Sequence, residues 1–486
     1  MNRWLIAALL PLLVPGALFG ATATYRITYR GGDKLHVDAQ LPAGDGKLLI
    51  RQGGGIAHLP NEWATFVRDL RVTGGNGAAV STTALGKEGW TLGANGAIAA
   101  SYDVDLAYAV GKWPPGNEQS GRLLANALYT VTKPLFVYTS NVTDAKVAFE
   151  VPADWKVAAP WLASASRQFT AASLDALTDN SLVVGRFGAT EVRIGAFDVT
   201  VATPDQDAPP ARLVAALQQM GSEATAMFPG TPAGRYVMTF FRADDEDGES
   251  FESSAALTSP YPFDDASMVV TGNTVVHELM HHWIGGMLAP PPEQHDSIAW
   301  FTEGFTEYYA NLMVARSGAV PRDLMHQKLA NVAAGYLYFM NSSLFHGITL
   351  ADAVQKKGAY RMGIYNGGWA IALSLDTMLR SESGGKRSLA DVMRLLFDRY
   401  GRARTPISEA ELRAAASEVA GRDLAPWFEK YIHTREDLPL AATLLQLGLE
   451  LRGQPYAADV YLINVAKPTP AQSALRAQFF GTKGSM

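Results

Sequence analysis

The chain of 486 residues contains no cysteine. Disulfides, thiolate metal ligands and a cysteine nucleophile are therefore excluded, and any zinc site must be built from histidine and carboxylate. No block of Lys and Arg stands out, and the net charge is −6. Both argue against a nucleic-acid partner. Beyond the N-terminus no stretch is long and apolar enough to span a bilayer, so no stable membrane insertion is expected. Histidine is also scarce, with nine in the chain, so a place where several gather stands out.

What is present begins with a hydrophobic fraction of 48%, ample for a packed core. The length predicts more than one domain. "MNRWLIAALLPLLVPGALFGATATY" has a basic start at Arg3, an apolar run over 4–20 and an A-x-A site at Ala21-Thr22-Ala23. It reads as a secretory signal, residues 1–23, cleaved near Ala23, and predicts a secreted or periplasmic protein. An uncleaved anchor is the alternative; Pro11, Pro15 and the shortness of the run weigh against it. With no cysteine after the run, a lipid anchor on cysteine is excluded.

Residues 24–202 read as strands. "YRITYRGG", "KLHVDAQLP", "GKLLIRQ" and "DAKVAFEVP" alternate or run apolar between Gly, Asn, Asp and Pro, which suits an N-terminal β-sandwich-like domain. His36 and His58 in it are lone histidines with structural or solvent roles. "TPDQDAPPA" (203–211) reads as a linker. A helical pattern, a short apolar strand "GRYVMTFFR" and the acidic "ADDEDGESFE" follow, and the rest is mostly helical. The last forty or so residues, 451–486, carry no clear signal and are expected to be a tail.

The chemistry gathers in "NTVVHELMHHWIGG". Read as a helix, with Asn273 as N-cap and Gly285-Gly286 as stop, it advances about 100° per residue. His277 and His281 then lie about 40° apart on one face, while His282 is about 140° from His277. The first two can share an ion; His282 packs or faces solvent. Glu278, beside His277, can reach a metal-bound water without ligating the metal. This is H-E-x-x-H, two zinc histidines and a general-base glutamate. "SIAWFTEGFTEYYANL" reads as a second helix beyond the Pro-rich "APPPEQHD" reversal, and its Glu303 is the expected third ligand, leaving a position open for water. Glu307, one turn on, is either an acceptor orienting a ligand histidine or part of a solvated face. His295 and Asp296 fall in the loop between the helices and are expected in solvent.

"HELMHHW", "WFTEGFTEYY" and "GGKRSLADVMRLLFDRYG" together resemble the glycyl aminopeptidase family of gluzincin zinc peptidases, and "DWKVAAPW" and "FTAASLDALTDNSLVVGRF" extend the likeness. It covers about residues 145–450. The resemblance implies an α+β chain: a β-rich domain at 24–202, a thermolysin-like catalytic domain at 203–318, and a helical domain at 319–450 closing the cleft. It implies one zinc ion, peptide substrates and release of small N-terminal residues, Gly or Ala. Family members carry a Gly-rich motif whose glutamate binds the substrate's free amine. The matching stretch is "DGESFESSAALTS", which makes Glu252 that residue, although Glu249-Ser250-Phe251 stand where small and apolar residues are usual; a solvated acidic loop is the other reading. The family also places an oxyanion-stabilising tyrosine downstream. "GIYNGGWAIALSLD" makes it Tyr365, with Tyr360 as the fallback. Many members continue into a PDZ domain; the stretch after Gly453 is too short for one. An endopeptidase, a broader aminopeptidase and a non-catalytic peptide-binding envelope protein stay open as alternatives.

Overall fold

The computed structural model describes residues 20–481 apart from 57, 107–112, 114, 262–267 and 454–459. The expected signal lies, up to residue 19, outside the described residues. Its last residues do not: Ala21, Thr22 and Ala23 open the strand Ala21–Tyr29, with Ala23 fully buried and paired to Ala145. A cut after Ala23 would therefore shorten that strand.

The N-terminal part is sheet-rich, as expected. An eight-stranded sheet and two four-stranded sheets enclose one apolar core. The alternation read in "ATYRITY" and "KLHVDAQL" appears directly as alternating burial. His36 lies on a strand face, 2.7 Å from Asp103 and 3.3 Å from Asp38, and His58 packs edge-on against Trp113.

The next sheet has five strands in the order Gly188–Ile194, Phe197–Thr203, Gly234–Arg242, Ser254–Ser259, Asp247–Ser250. The boundary expected near 202 is thus moved back to Gly188. The first hairpin looks like more of the β domain in sequence, but it pairs in parallel with Gly234–Arg242 through the crossover helix Ala211–Met227. "GRYVMTFFR" runs apolar without alternation because both its faces are covered. Val237 and Phe241 enter the core of the β domain, whereas Tyr236, Met238 and Phe240 enter the helical core. Each such ring or branched side chain contributes roughly 1.5–3 kcal/mol by leaving water. The last strand, Asp247–Ser250, is an edge, and it borders a large cavity.

The remainder is helical, chiefly Arg322–Asn341, Gly368–Ser383, Leu389–Leu396 and Glu409–Ala420. The expected tail is structured instead. Leu449–Arg452 pairs with Tyr461–Asn464, and Pro470–Phe480 is a helix started by a Thr469–Gln472 capping box. Its Phe479 and Phe480 are buried in the helical core. The helix is too short for its period to stand out in sequence.

Candidate metal centre and catalytic cavity

The H-E-x-x-H segment lies at the end of the helix Met268–Met280. This helix starts earlier than expected, so Asn273 is an interior residue and not a cap. Its side chain instead donates to Glu307 Oε2 at 3.0 Å. His281 still follows the helical ladder, its N–H donating to the His277 carbonyl at 3.2 Å, and the chain then turns to Gly285 in a left-handed conformation.

Helical phase sorts the histidines as the sequence predicts. His277 Nε2 and His281 Nε2 are 3.0 Å apart, and Glu303 Oε2 lies 3.4 and 3.3 Å from them. His282 is buried among Phe197, Tyr236 and Trp283, edge-on to each, and burial drops it to about 4, so it stays neutral. Glu303 sits at a break between the short helix Ala299–Thr302 and the helix Gly304–Ser317, where a single straight helix was expected.

These donors fit zinc. Metal–ligand distances near 2.0–2.1 Å give tetrahedral edges of about 3.3 Å, which the three spacings approach. His281 Nδ1 donates to the Ile284 carbonyl at 2.9 Å and His277 Nδ1 faces Glu307 Oε2 at 3.3 Å. With both Nδ1 atoms donating, each Nε2 turns a lone pair inward beside a carboxylate oxygen, an arrangement that needs a cation at its centre. Burial alone would lower His277, yet Glu303 and Glu307 outweigh it and raise it to about 10, a measure of the pocket's affinity for positive charge.

The surroundings hold each ligand. Burial would raise Glu303, but His281, His277 and Lys357 keep it well below the usual carboxylate range. Lys357 Nζ reaches Glu303 Oε1 at 2.5 Å, leaving Oε2 for the metal. Glu307 accepts from Asn273 and, at 2.7 Å, from Asn311; His277 holds it at about 2 against the effect of burial. Glu278 is buried, which raises it, and His277 and His281 only partly counter this.

Tyr365 stands over the centre, stacked on His277 at 6.0 Å between ring centroids, with the Arg361 guanidinium 4.6 Å from its own ring centre. Burial and Glu303 push its hydroxyl far up. It sits in a π-helical turn, Met362–Gly367. This turn comes close because two glycines meet: a Cβ on Gly368 would lie 2.0 Å from the Trp300 carbonyl, and one on Gly304 would lie 2.3 Å from Gly368 Cα. Tyr360 packs against Phe345 away from the cavity. His295 and Asp296 are exposed at its mouth.

The cavity holds about 1300 Å³ and is lined by the β domain, the five-stranded sheet and the helical region together. Sequence reasoning missed several of its residues. On the edge strand, Gly248 passes so near Glu278 that a Cβ would be 2.7 Å from its Cγ. Glu249 follows, raised to about 7 by desolvation and by Glu278, against the pull of Lys133. Glu118 of the β domain faces the same space. It is 2% exposed, its Oε2 has no hydrogen-bond partner, and burial with Asp247 and Glu249 nearby lifts it to about 9. Glu252, the residue expected to bind the amine, lines the cavity but is gripped by Arg404 at 2.7 and 2.9 Å. Glu249 was visible in the motif only as a departure from pattern. Glu118 lies over a hundred residues away in sequence and had no local signal.

Two family models match the chain: the M61 glycyl aminopeptidase over residues 271–344 and the peptidase M61 N-terminal domain over 54–186. In these two segments the chain matches the M61 glycyl aminopeptidase family. It is a zinc-dependent peptidase of the aminopeptidase class. No protein among curated sequences matches it. Among solved structures, the peptidase is similar to an aminopeptidase N family protein from Idiomarina loihiensis, at 18% identity and a TM-score of 0.71, over 89% of this chain and 79% of that one. It also resembles an M1 zinc metallopeptidase from Deinococcus radiodurans, at 16% identity and a TM-score of 0.53, over 87% of this chain and 95% of that one. A variant of the Deinococcus enzyme, bound to a Tyr-Ser-Ala substrate, matches at 15% identity and 0.53, over the same shares. At these identities the likeness is one of fold. Among the described residues no helix is long and apolar enough to cross a membrane.

Proposed function

We propose that this peptidase releases small N-terminal residues, Gly or Ala, from peptides, and that Glu249 together with Glu118 holds the substrate's free amine. The observation that carries the reading is the pair itself: two carboxylates, both raised, facing the cavity next to Glu278. Raised carboxyls hold a proton that an arriving ammonium displaces, and the carboxylates so formed take its charge-assisted hydrogen bonds. Glu252, engaged by Arg404, is less available for that role. The preference for small residues is supported by the surroundings of Glu249. Glu118, Gln119 and Lys133 present polar groups there and offer a large apolar side chain no matching wall.

His277, His281 and Glu303 would hold the zinc. When bound, it supplies Lewis acidity to the scissile carbonyl and makes a water acidic enough to be deprotonated near neutral pH. Glu278 takes that proton and delivers it to the leaving amine. Tyr365 donates to the oxyanion as it forms. Glu307 fixes the His277 ring through Nδ1.

The test is a coumarylamide panel with free and N-acetylated Gly, Ala, Leu and Phe, run on wild type and Glu249→Gln. Preference for free Gly and Ala, with KM raised by the substitution, supports the reading. Equal cutting of free and acetylated substrates by wild type points to an endopeptidase and ends it. The export signal is a second proposal, supported by Arg3, the apolar run and the A-x-A site. N-terminal sequencing of protein recovered outside the cytoplasm tests it, and an intact Met1 there would refute cleavage.

A further inference from the structure

The order of residues along the edge strand also orders the cleft. Gly248 lies against Glu278, which places the scissile bond there. Glu249 comes next, and this inference rests on reading it as the ammonium anchor. Glu252 follows in the turn that leads into Ser254–Ser259. Substrate lying beside a free edge strand takes up its backbone groups and advances about 3.4 Å per residue, so a few residues upstream of the anchored amine would arrive at Glu252.

That place is crossed by a line of ion pairs. Both terminal nitrogens of Arg404 bind the Glu252 carboxylate. The Glu252 N–H donates to the Asp179 carbonyl of the β domain at 3.0 Å. Lys133 binds the Asp179 carboxylate at 2.9 Å, and Arg51 binds Asp175 at 2.5 Å. All six residues line the cavity. Arg404 reaches across from the loop beyond the π-helical turn Phe397–Gly401, in a left-handed conformation (φ 50°) that non-glycine residues rarely adopt. Two backbone hydrogen bonds hold it there, Arg404 N–H to the Gly401 carbonyl and Thr405 N–H to the Tyr400 carbonyl. A strained residue fixed at a cleft is a pointer to function. The Arg404 side chain is 46% exposed, so the pair stands in open space and its removal opens room without emptying a packed core.

We propose that the Arg404–Glu252 ion pair is the end wall of the cleft, stopping a peptide from extending more than a few residues upstream of the scissile bond. Cleavage is then confined to the N-terminal end of a peptide by a barrier as well as by the charge of the amine. In this role Glu252 sets specificity by closing space.

The test compares wild type, Arg404→Ala, Glu252→Ala and the swap Glu252→Arg with Arg404→Glu on two substrates, Ala-coumarylamide and acetyl-Ala-Ala-Ala-coumarylamide. The expected result is a rise of at least tenfold in the ratio of blocked to free cleavage for either single variant, reversed in the swap. Zinc content and melting temperature are measured for each; should Arg404→Ala fail to fold, Glu252→Gln breaks the pair while keeping its shape. Zinc-loaded variants that cut the blocked tripeptide no better than wild type overturn the proposal. Arg452→Ala, on the surface hairpin, serves as the control for substitution itself. Glu249→Gln, run alongside on Ala-coumarylamide, separates the two ideas: an unchanged KM there refutes the ammonium reading, whereas the wall is scored only by the gain on the blocked substrate.

Discussion

The cavity contains two groups of carboxylates with opposite fates. Glu303 and Glu307, at the metal, are surrounded by His277, His281, Lys357, Asn273 and Asn311, and both are held below the ordinary range. Glu118 and Glu249, across the cleft, have few partners, and both are raised. Burial raises all four. What separates them is whether the protein provides the counter-charge. At the metal the protein supplies part of it and the ion the rest. On the other side the protein provides little of it, and under the proposed function the amine of the substrate brings the rest. On that reading the same residue type in the same cavity serves a permanent cation and a transient one.

Substitutions can break this comparison. The largest effect is expected at the metal: Glu303→Ala or His281→Ala should lose zinc and abolish activity, read by metal analysis after dialysis. Glu278→Gln should keep zinc but lower kcat by about 10²–10⁴. On the opposite side, Glu249→Gln and Glu118→Gln should keep both zinc and most of kcat while raising KM for free amines by about 10–100-fold, the worth of a charge-assisted hydrogen bond. Zinc loss in these two would erase the distinction. Lys357→Met frees Glu303 Oε1 and should weaken zinc binding by about 10-fold or more, measured by competition with a chelator.

The smallest effect is on stability. Glu118 titrates near 9 in the fold, against a reference value of 4.5. Between those values the folded chain binds the proton that the unfolded chain releases, so stability falls as pH rises through this window. Glu118→Gln removes that dependence. The two proteins should melt alike near pH 5, and the variant should gain on wild type toward pH 9. A constant difference across the range would show that Glu118 does not titrate in this way.

The metal centre was largely legible in the sequence because its geometry is local. The four-residue step from His277 to His281 fixes their phase on a helix, and a reversing loop brings Glu303 back to them. The amine side was not, because it is assembled from distant segments. Glu118 sits in the β domain, Glu249 on an edge strand, and Arg404 in a loop after the helices. Only the register Gly248↔Leu257 and Glu249↔Ala256 puts the edge strand beside Glu278. The sheet-rich first part and the helical last part were readable from period. The hairpin over 188–203 was misplaced because alternation does not say which sheet a strand will join. Asn273 was read as a cap for a similar reason: its side chain is taken by Glu307, which belongs to another helix.

A contact far from the metal bears on the ground beneath the third ligand. Arg316, at the foot of the helix that follows Glu303, donates to the Phe479 carbonyl at 2.5 Å and to the Gln478 carbonyl at 3.2 Å, and Phe479 is buried in the helical core. The helix Gly304–Ser317 is therefore braced by a segment 163 residues further along the chain. The brace touches no ligand, yet it holds the element on which Glu303 and Glu307 depend for their positions. How firmly the site grips its ion is thus decided in part on the opposite side of that helix, by main-chain carbonyls.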